Sequence, residues 1–106
     1  MTTIIIHKPG QQHPPRKEAM LTSSGNPAKD QYVVYHDDGS TAFESYGTTI
    51  AVRPVDYPSN PIRLDREHWN YSITTARYRN RFLGEATAAT RKRISNGQYV
   101  LAKLNV

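Results

Sequence analysis

QYVVYHDDGSTAFESY, residues Gln31 to Tyr46, sets two β-prone runs on either side of Asp38-Gly39. Asp-Gly tolerates the positive φ angles of a tight hairpin turn, so the two runs read as an antiparallel pair. With Asp38 and Gly39 as a two-residue loop, Val34 is expected opposite Phe43 and Val33 opposite Glu44. The pleat then gathers Tyr32, Val34 and Phe43 on one face, taken as the core face, and Val33, Tyr35 and Ala42 on the other.

Downstream, Gly47 allows a second bend, and Thr48 to Arg53 reads as a third strand with Ile50 and Val52 inward. Pro54 ends it. Ile62-Arg63-Leu64 reads as a short fourth strand after the turn residues Asp56 to Pro61. Ser72 has the side chain of an N-cap for a helix from Ile73 to Leu83. At 100° per residue, Thr75, Ala76, Tyr78, Phe82 and Leu83 share a broad inner face of that helix. Arg77 and Arg81 lie together outside, while Arg79 falls within the apolar arc, where it must snorkel or pair. Gly84 interrupts. A second helix is expected from about Glu85 to Ser95, with Ala86, Ala89 and Ile94 inward and Arg91 and Lys92 outward, ending at Asn96-Gly97. Gln98 to Leu104 is the last strand. The order β-β-β-(β)-α-α-β is an α+β fold: a small antiparallel sheet with two short helices packed on one face.

Upstream, Pro9, Pro14, Pro15 and Pro27 with Gly10 and Gly25 interrupt any long element. Residues 1–28 are therefore expected to be a flexible N-terminal arm and residues 29–106 a single domain. Within the arm, Ile4-Ile5-Ile6 has the composition of a short edge strand, and Met20-Leu21 is placed to dock back on the body.

Composition narrows the setting. The chain of 106 residues contains no cysteine, which excludes disulfides, thiolate zinc sites and cysteine nucleophiles. A cysteine-free chain of this size favours a reducing cytosol. Its opening residues hold three consecutive apolar side chains, far fewer than a signal peptide or a membrane helix needs, so cytoplasmic localisation and no membrane partner are expected. The net charge is +5 and it is unevenly distributed. From Tyr71 to Val106 there are seven Lys and Arg against one acid, whereas residues 31–70 carry three Arg against six acids. Charge of one sign gathered on one side attracts phosphate better than the same charge dispersed.

Several segments share a further likeness. They are Ser23-Ser24-Gly25-Asn26, Lys29 to Tyr35, Ser45 to Ala51, Trp69-Asn70-Tyr71-Ser72 with Thr74-Thr75, Arg81 to Glu85, Thr90-Arg91-Lys92, and Gly97 with Tyr99. Together they resemble small proteins of unassigned function encoded by bacteriophages and mobile elements, over about residues 20 to 106. The resemblance implies a bacterial cytosol and an accessory role in genome handling or against a host factor. It brings no catalytic residue with it.

Chemistry at individual residues gives little. His7, His13, His36 and His68 are far apart and have no second ligand at metal-binding spacing, and Asp37-Asp38-Gly39 lacks the later oxygen ligands of a calcium loop. No metal or cofactor is expected. Glu67-His68 with nearby Ser72 is the nearest thing to an acid–base group, but neighbours along a chain do not face one another on a helix, and no nucleophile elbow is present. A non-enzymatic protein is expected, with His68 packing beside Trp69. Ser72, Thr74 and Thr75 at the first helix N-terminus offer what any capped helix offers an anion.

Binding is the stronger expectation. Arg77, Arg79, Arg81, Arg91, Lys92 and Arg93 make two arginine-rich turns on consecutive helices. If those helices pack antiparallel, Arg77, Arg81, Arg91 and Lys92 form one stripe facing a nucleic-acid backbone, DNA or RNA. Tyr78, with Tyr71 and Trp69, is available to stack on unpaired bases. Without a base-reading motif such binding is directed at the backbone and weakly sequence-specific. The alternative is a protein-binding inhibitor of a host or anti-phage defence enzyme. It would use Tyr32, Tyr35, Tyr46, Tyr57 and Tyr99 as a sticky sheet face, since interfaces favour tyrosine anchors.

Overall fold

A computed structural model describes residues 16–106. The strands are β1 (Arg16–Leu21), β2 (Pro27–Tyr35), β3 (Thr41–Ser45), β4 (Thr48–Arg53) and β5 (Ile62–Asp65), followed by α1 (Ile73–Leu83), α2 (Thr87–Ser95) and a last strand, β6 (Tyr99–Ala102). All six strands form one sheet in sequential order. Four neighbouring pairs are antiparallel and the β5–β6 pair is parallel. A parallel neighbour requires a crossover, and α1 and α2 supply it between β5 and β6. The fold is α+β, with a mixed rather than a purely antiparallel sheet.

The arm does not reach residue 28. Arg16 to Ala19 pair with Tyr35 to Tyr32, which places β1 on the sheet edge. Low hydrophobicity hid this strand, but an edge strand needs little apolar surface and benefits from charge. Its charges find local partners instead: Lys17 Nζ lies 2.8 Å from Glu44 Oε1, and the Arg16 guanidinium sits over the Tyr35 ring. The turn after it closes through Thr22 N donating to Asn26 O, with Gly25 at φ +87°. Met20 packs against the core, as its docking role anticipated, whereas Leu21 is exposed. The segment Ile4-Ile5-Ile6 lies outside the described residues.

The central hairpin forms with its register moved by one residue. Val33 faces Phe43 and Val34 faces Ala42. The reason is the loop. His36 N donates to Ser40 O and Gly39 N to His36 O, so Asp37, Asp38 and Gly39 make three loop residues, Gly39 taking φ +91°. Asp38 Oδ1 fixes the exit by accepting from Ser40 N and Oγ at 2.8 and 2.6 Å. A one-residue change exchanges the faces, so Val33 rather than Val34 shares the Phe43 face. Val34 and Ala42 are nevertheless buried on the reverse face.

Strand β4 carries an irregularity opposite Phe43 and Glu44, and both Ile50 and Ala51 are buried there. Ile50 is inward as expected. Val52 pairs with Ala42 on the reverse face, and Ala51 takes the inward place. Phe43, Ile50, Ala51, Ile62, Leu64, Tyr78 and Tyr99 form the core, with Trp69, Phe82, Leu83, Ile94 and Leu101 against it. At about 25 cal/mol per Å² of apolar surface removed from water, a large side chain such as Phe43 contributes on the order of 2 kcal/mol.

Helix α1 forms where the sequence places it. Ser72 Oγ accepts from Thr75 N at 3.0 Å, and Gly84 at φ +73° ends the helix by donating to Asn80 O. Its inner face is anchored to β3 through Thr75 and Ser45, whose buried hydroxyls lie 2.8 Å apart. Helix α2 begins two residues later than expected because Glu85 is turned inward as an acceptor for Thr90 Oγ1 and Arg93 Nε. Ala86 is exposed, Ala89 half-buried, and Ile94 packs on the core.

Candidate nucleic-acid interface

The seven residues expected to bind nucleic acid fall into two groups, those engaged within the fold and those that face outward. Arg79 and Tyr78 are buried, at 0% and 6% exposure. Tyr78 is therefore a core ring and not a stacking surface. Arg79 donates to the Trp69 carbonyl, to Asn70 Oδ1 at 3.0 Å, to Asn80 Oδ1 at 2.8 Å and to Thr87 Oγ1 at 2.7 Å. These acceptors tie the loop before α1 to both helices. All of them are neutral, so burial lowers the Arg79 pKa, and the nearby Arg91 charge lowers it further. Arg79 is a structural brace that cannot meet a phosphate.

Arg93 is removed in another way. Its Nε lies 2.9 Å from Glu85 Oε1 and its guanidinium 5.8 Å from the Tyr99 ring. The hydrogen bond to Glu85 raises the Arg93 pKa, and burial, with the same carboxylate adding to it, pushes the Tyr99 phenol up to about 12. Burial is the larger cause at Tyr99.

Arg77, Arg81, Arg91 and Lys92 are exposed. Arg81 donates to the Leu21 carbonyl of β1 and lies over the Tyr78 ring, while Arg91 lies over Trp69. None of the four has a carboxylate partner among the described residues. Glu85 is the single acid from Tyr71 onward, and Arg93 occupies it. The expected single stripe is not assembled by helix-on-helix packing. Helix α1 lies over β2 and β3, whereas α2 packs beside β6. The cations occupy two positions on the helical layer: Arg81 reaches toward β1, and Arg91 borders the loop after β5.

The five tyrosines do not form one face. Tyr99 is buried, and Tyr32 and Tyr35 lie on opposite sides of β2 under Lys17 and Arg16 respectively. Tyr46 is exposed in the β3–β4 turn and Tyr57 in the β4–β5 loop, at opposite ends of β4.

One site was missed by reading neighbours along the chain. His68 is held by Asp65 and not by Glu67. Its Nδ1 lies 2.6 Å from Asp65 Oδ2 and its backbone N donates to the same oxygen at 3.0 Å. Asp65 Oδ1 accepts from Leu104 N at 2.9 Å. Burial alone would raise this carboxyl, but the bonds from Leu104, His68 and Asn105 outweigh it and hold Asp65 below the ordinary range. The i, i+3 spacing of Asp65 and His68 was the available signal. Among the described residues no three His, Asp or Glu side chains come together as a metal site, and no helix is long and apolar enough to cross a membrane.

A single six-stranded sheet with one helical layer, and cations without carboxylate partners on that layer, defines a small α+β protein with a basic helical surface. The chain belongs to DUF8033, a family of unknown function, whose model matches residues 16–98. That range begins at β1 and ends just before β6, so the edge strand is part of the family's domain. No curated protein and no solved structure matches the chain.

Proposed function

We propose that this is a small non-catalytic protein that binds nucleic acid through the outer surface of its two helices, with weak sequence specificity. The observation that carries the reading is that, among the described residues, Arg77, Arg81, Arg91 and Lys92 have no carboxylate partner, in a segment whose single acid is already taken by Arg93. Exposed cations of this kind gain most from phosphate, because no internal ion pair has to be broken and counterions are released on contact. A bacterial accessory role in genome handling, of the kind the phage-type resemblance implies, is compatible with such a surface.

The test is a titration of labelled single-stranded DNA, duplex DNA and RNA at two salt concentrations. Binding at low salt that weakens steeply with added salt is the expected result. No binding at low salt, or an affinity indifferent to salt, sinks the reading. Replacing Arg77 and Lys92 by Ala weakens binding to every sequence alike, and flattens the salt slope by roughly one for each phosphate that is no longer neutralised.

A further inference from the structure

The loop between β5 and α1 gathers aromatic rings and cations in a way the helical surface does not. Trp69 is half-buried and packs one part of its ring on the core. Two guanidinium groups lie against it, that of Arg79 at 5.1 Å from the ring centre and that of Arg91 at 5.4 Å. They differ in freedom. Arg79 is fully buried and fixed by four neutral acceptors, whereas Arg91 is exposed and has no ion pair among the described residues. Tyr71 follows at 45% exposure, with the His68 ring edge-on to it at 5.1 Å and 84°. Lys92 stands next to Arg91 in the middle of α2.

We infer that this loop is a stacking platform for unpaired bases, so that the partner is single-stranded rather than duplex nucleic acid. The inference rests on the nucleic-acid reading above and narrows it. A base has a π-face that can stack where the guanidinium plane now covers the indole. When a base takes the place of Arg91 against Trp69, the released guanidinium reaches the adjoining phosphate beside Lys92. Tyr71 receives the next base, held at a fixed angle by His68, which Asp65 anchors from below. A duplex keeps its bases stacked on one another and offers this platform nothing.

Trp69 is the one tryptophan in the chain, so its fluorescence reports on this position alone. The full chain is titrated at low salt with short oligothymidylate, oligouridylate and a duplex of matched length, following both indole emission and the anisotropy of the labelled probe. Single strands are expected to quench Trp69 and to bind about tenfold tighter than the duplex, as one stacked base would give. Tyr71→Ala, at an exposed position, is expected to keep the fold and to lose several-fold in single-strand affinity while duplex affinity stays constant; Trp69→Phe keeps the preference. A duplex bound as tightly as single strands, binding without any change in Trp69 emission, or equal losses on both probes in Tyr71→Ala, overturns the platform and leaves the nucleic-acid reading standing. Failure of every probe to bind at low salt overturns both.

Discussion

Asn105 pairs with Thr49 through both atoms of its side-chain amide. Its Oδ1 accepts from Thr49 N and its Nδ2 donates to Thr49 O, each at 2.9 Å. Strand β5 pairs with β4 only at Ala51 and Val52, so the amide continues the ladder where β5 has ended. With Asp65 accepting from Leu104 N, it fastens the segment after β6 across two strands. Asn105→Ala removes both bonds and leaves a half-buried backbone amide and carbonyl with less to pair with. The expected loss is about 1–2 kcal/mol, or roughly 5–10 °C in thermal midpoint for a domain of this size. Circular dichroism melts decide it; an unchanged midpoint would mean the segment frays in solution.

Asp65 makes stability depend on acid. Its folded-state pKa lies below the unfolded value, so its contribution is fully present above the unfolded aspartate pKa, about 4, and is lost as pH falls through the lower folded value. In that window the unfolded chain binds more protons, so stability rises with pH. Urea midpoints measured from acid to neutral pH are expected to fall at the acid end in the wild type. In Asp65→Asn the midpoint is lower at neutral pH and the acid slope is shallower. Parallel pH profiles for the two proteins would remove Asp65 as the source of the acid sensitivity.

How far the sequence reveals this molecule can be judged at particular positions. The second half of β2, strands β3 and β4, both helices, the Ser72 cap and the break at Gly84 follow from periodicity and turn chemistry, which act locally; the first residues of β2, from Pro27, fell in the expected arm. The register of the central β2–β3 hairpin does not follow in this way, because Asp-Gly serves a two-residue loop and, with Gly39 in the left-handed region, a three-residue one as well. Strand β1 was hidden because an edge strand is held by its neighbour's backbone and needs no apolar alternation. At the candidate site, the sequence could show that Arg79 lay in an apolar arc. It could not show that Trp69, Asn70 and Thr87 converge on it, since their meeting depends on how α2 returns to the sheet.

Gln31 is a place where polarity costs stability. It is 1% exposed, opposite Ser45 on the helix-covered face of the sheet, and neither its Nε2 nor its Oε1 has a hydrogen-bond partner among the described residues. A buried amide without partners is unfavourable by about 1–3 kcal/mol. Gln31→Met, close in length and volume, is expected to raise the urea midpoint by an amount equivalent to about 1 kcal/mol without changing the slope of the transition. A lowered midpoint would show that the amide is satisfied in solution.

Arg79 separates architecture from binding. Its four acceptors are half-buried groups of the Trp69 loop and the two helices, so Arg79→Met takes the donor from the Trp69 carbonyl and Asn70 Oδ1 and leaves Asn80 and Thr87 only their side-chain bonds to each other. Arg79→Lys keeps the charge but, with three donors on a single nitrogen, does not reproduce the forked reach to both Asn70 and Thr87. Each variant is expected to lose about 2–4 kcal/mol. Arg77→Ala is the control: an exposed arginine of the same helix with no ion pair among the described residues, expected to change stability by less than about 0.5 kcal/mol. The two positions are therefore expected to part in opposite senses, Arg79 variants moving the thermal midpoint and Arg77→Ala moving the salt-dependent affinity. If Arg79→Lys melts like the wild type, the converging acceptors are not the brace that sets the Trp69 loop, and the loop's geometry must be held by the β5 end of the chain through Asp65 and His68 instead.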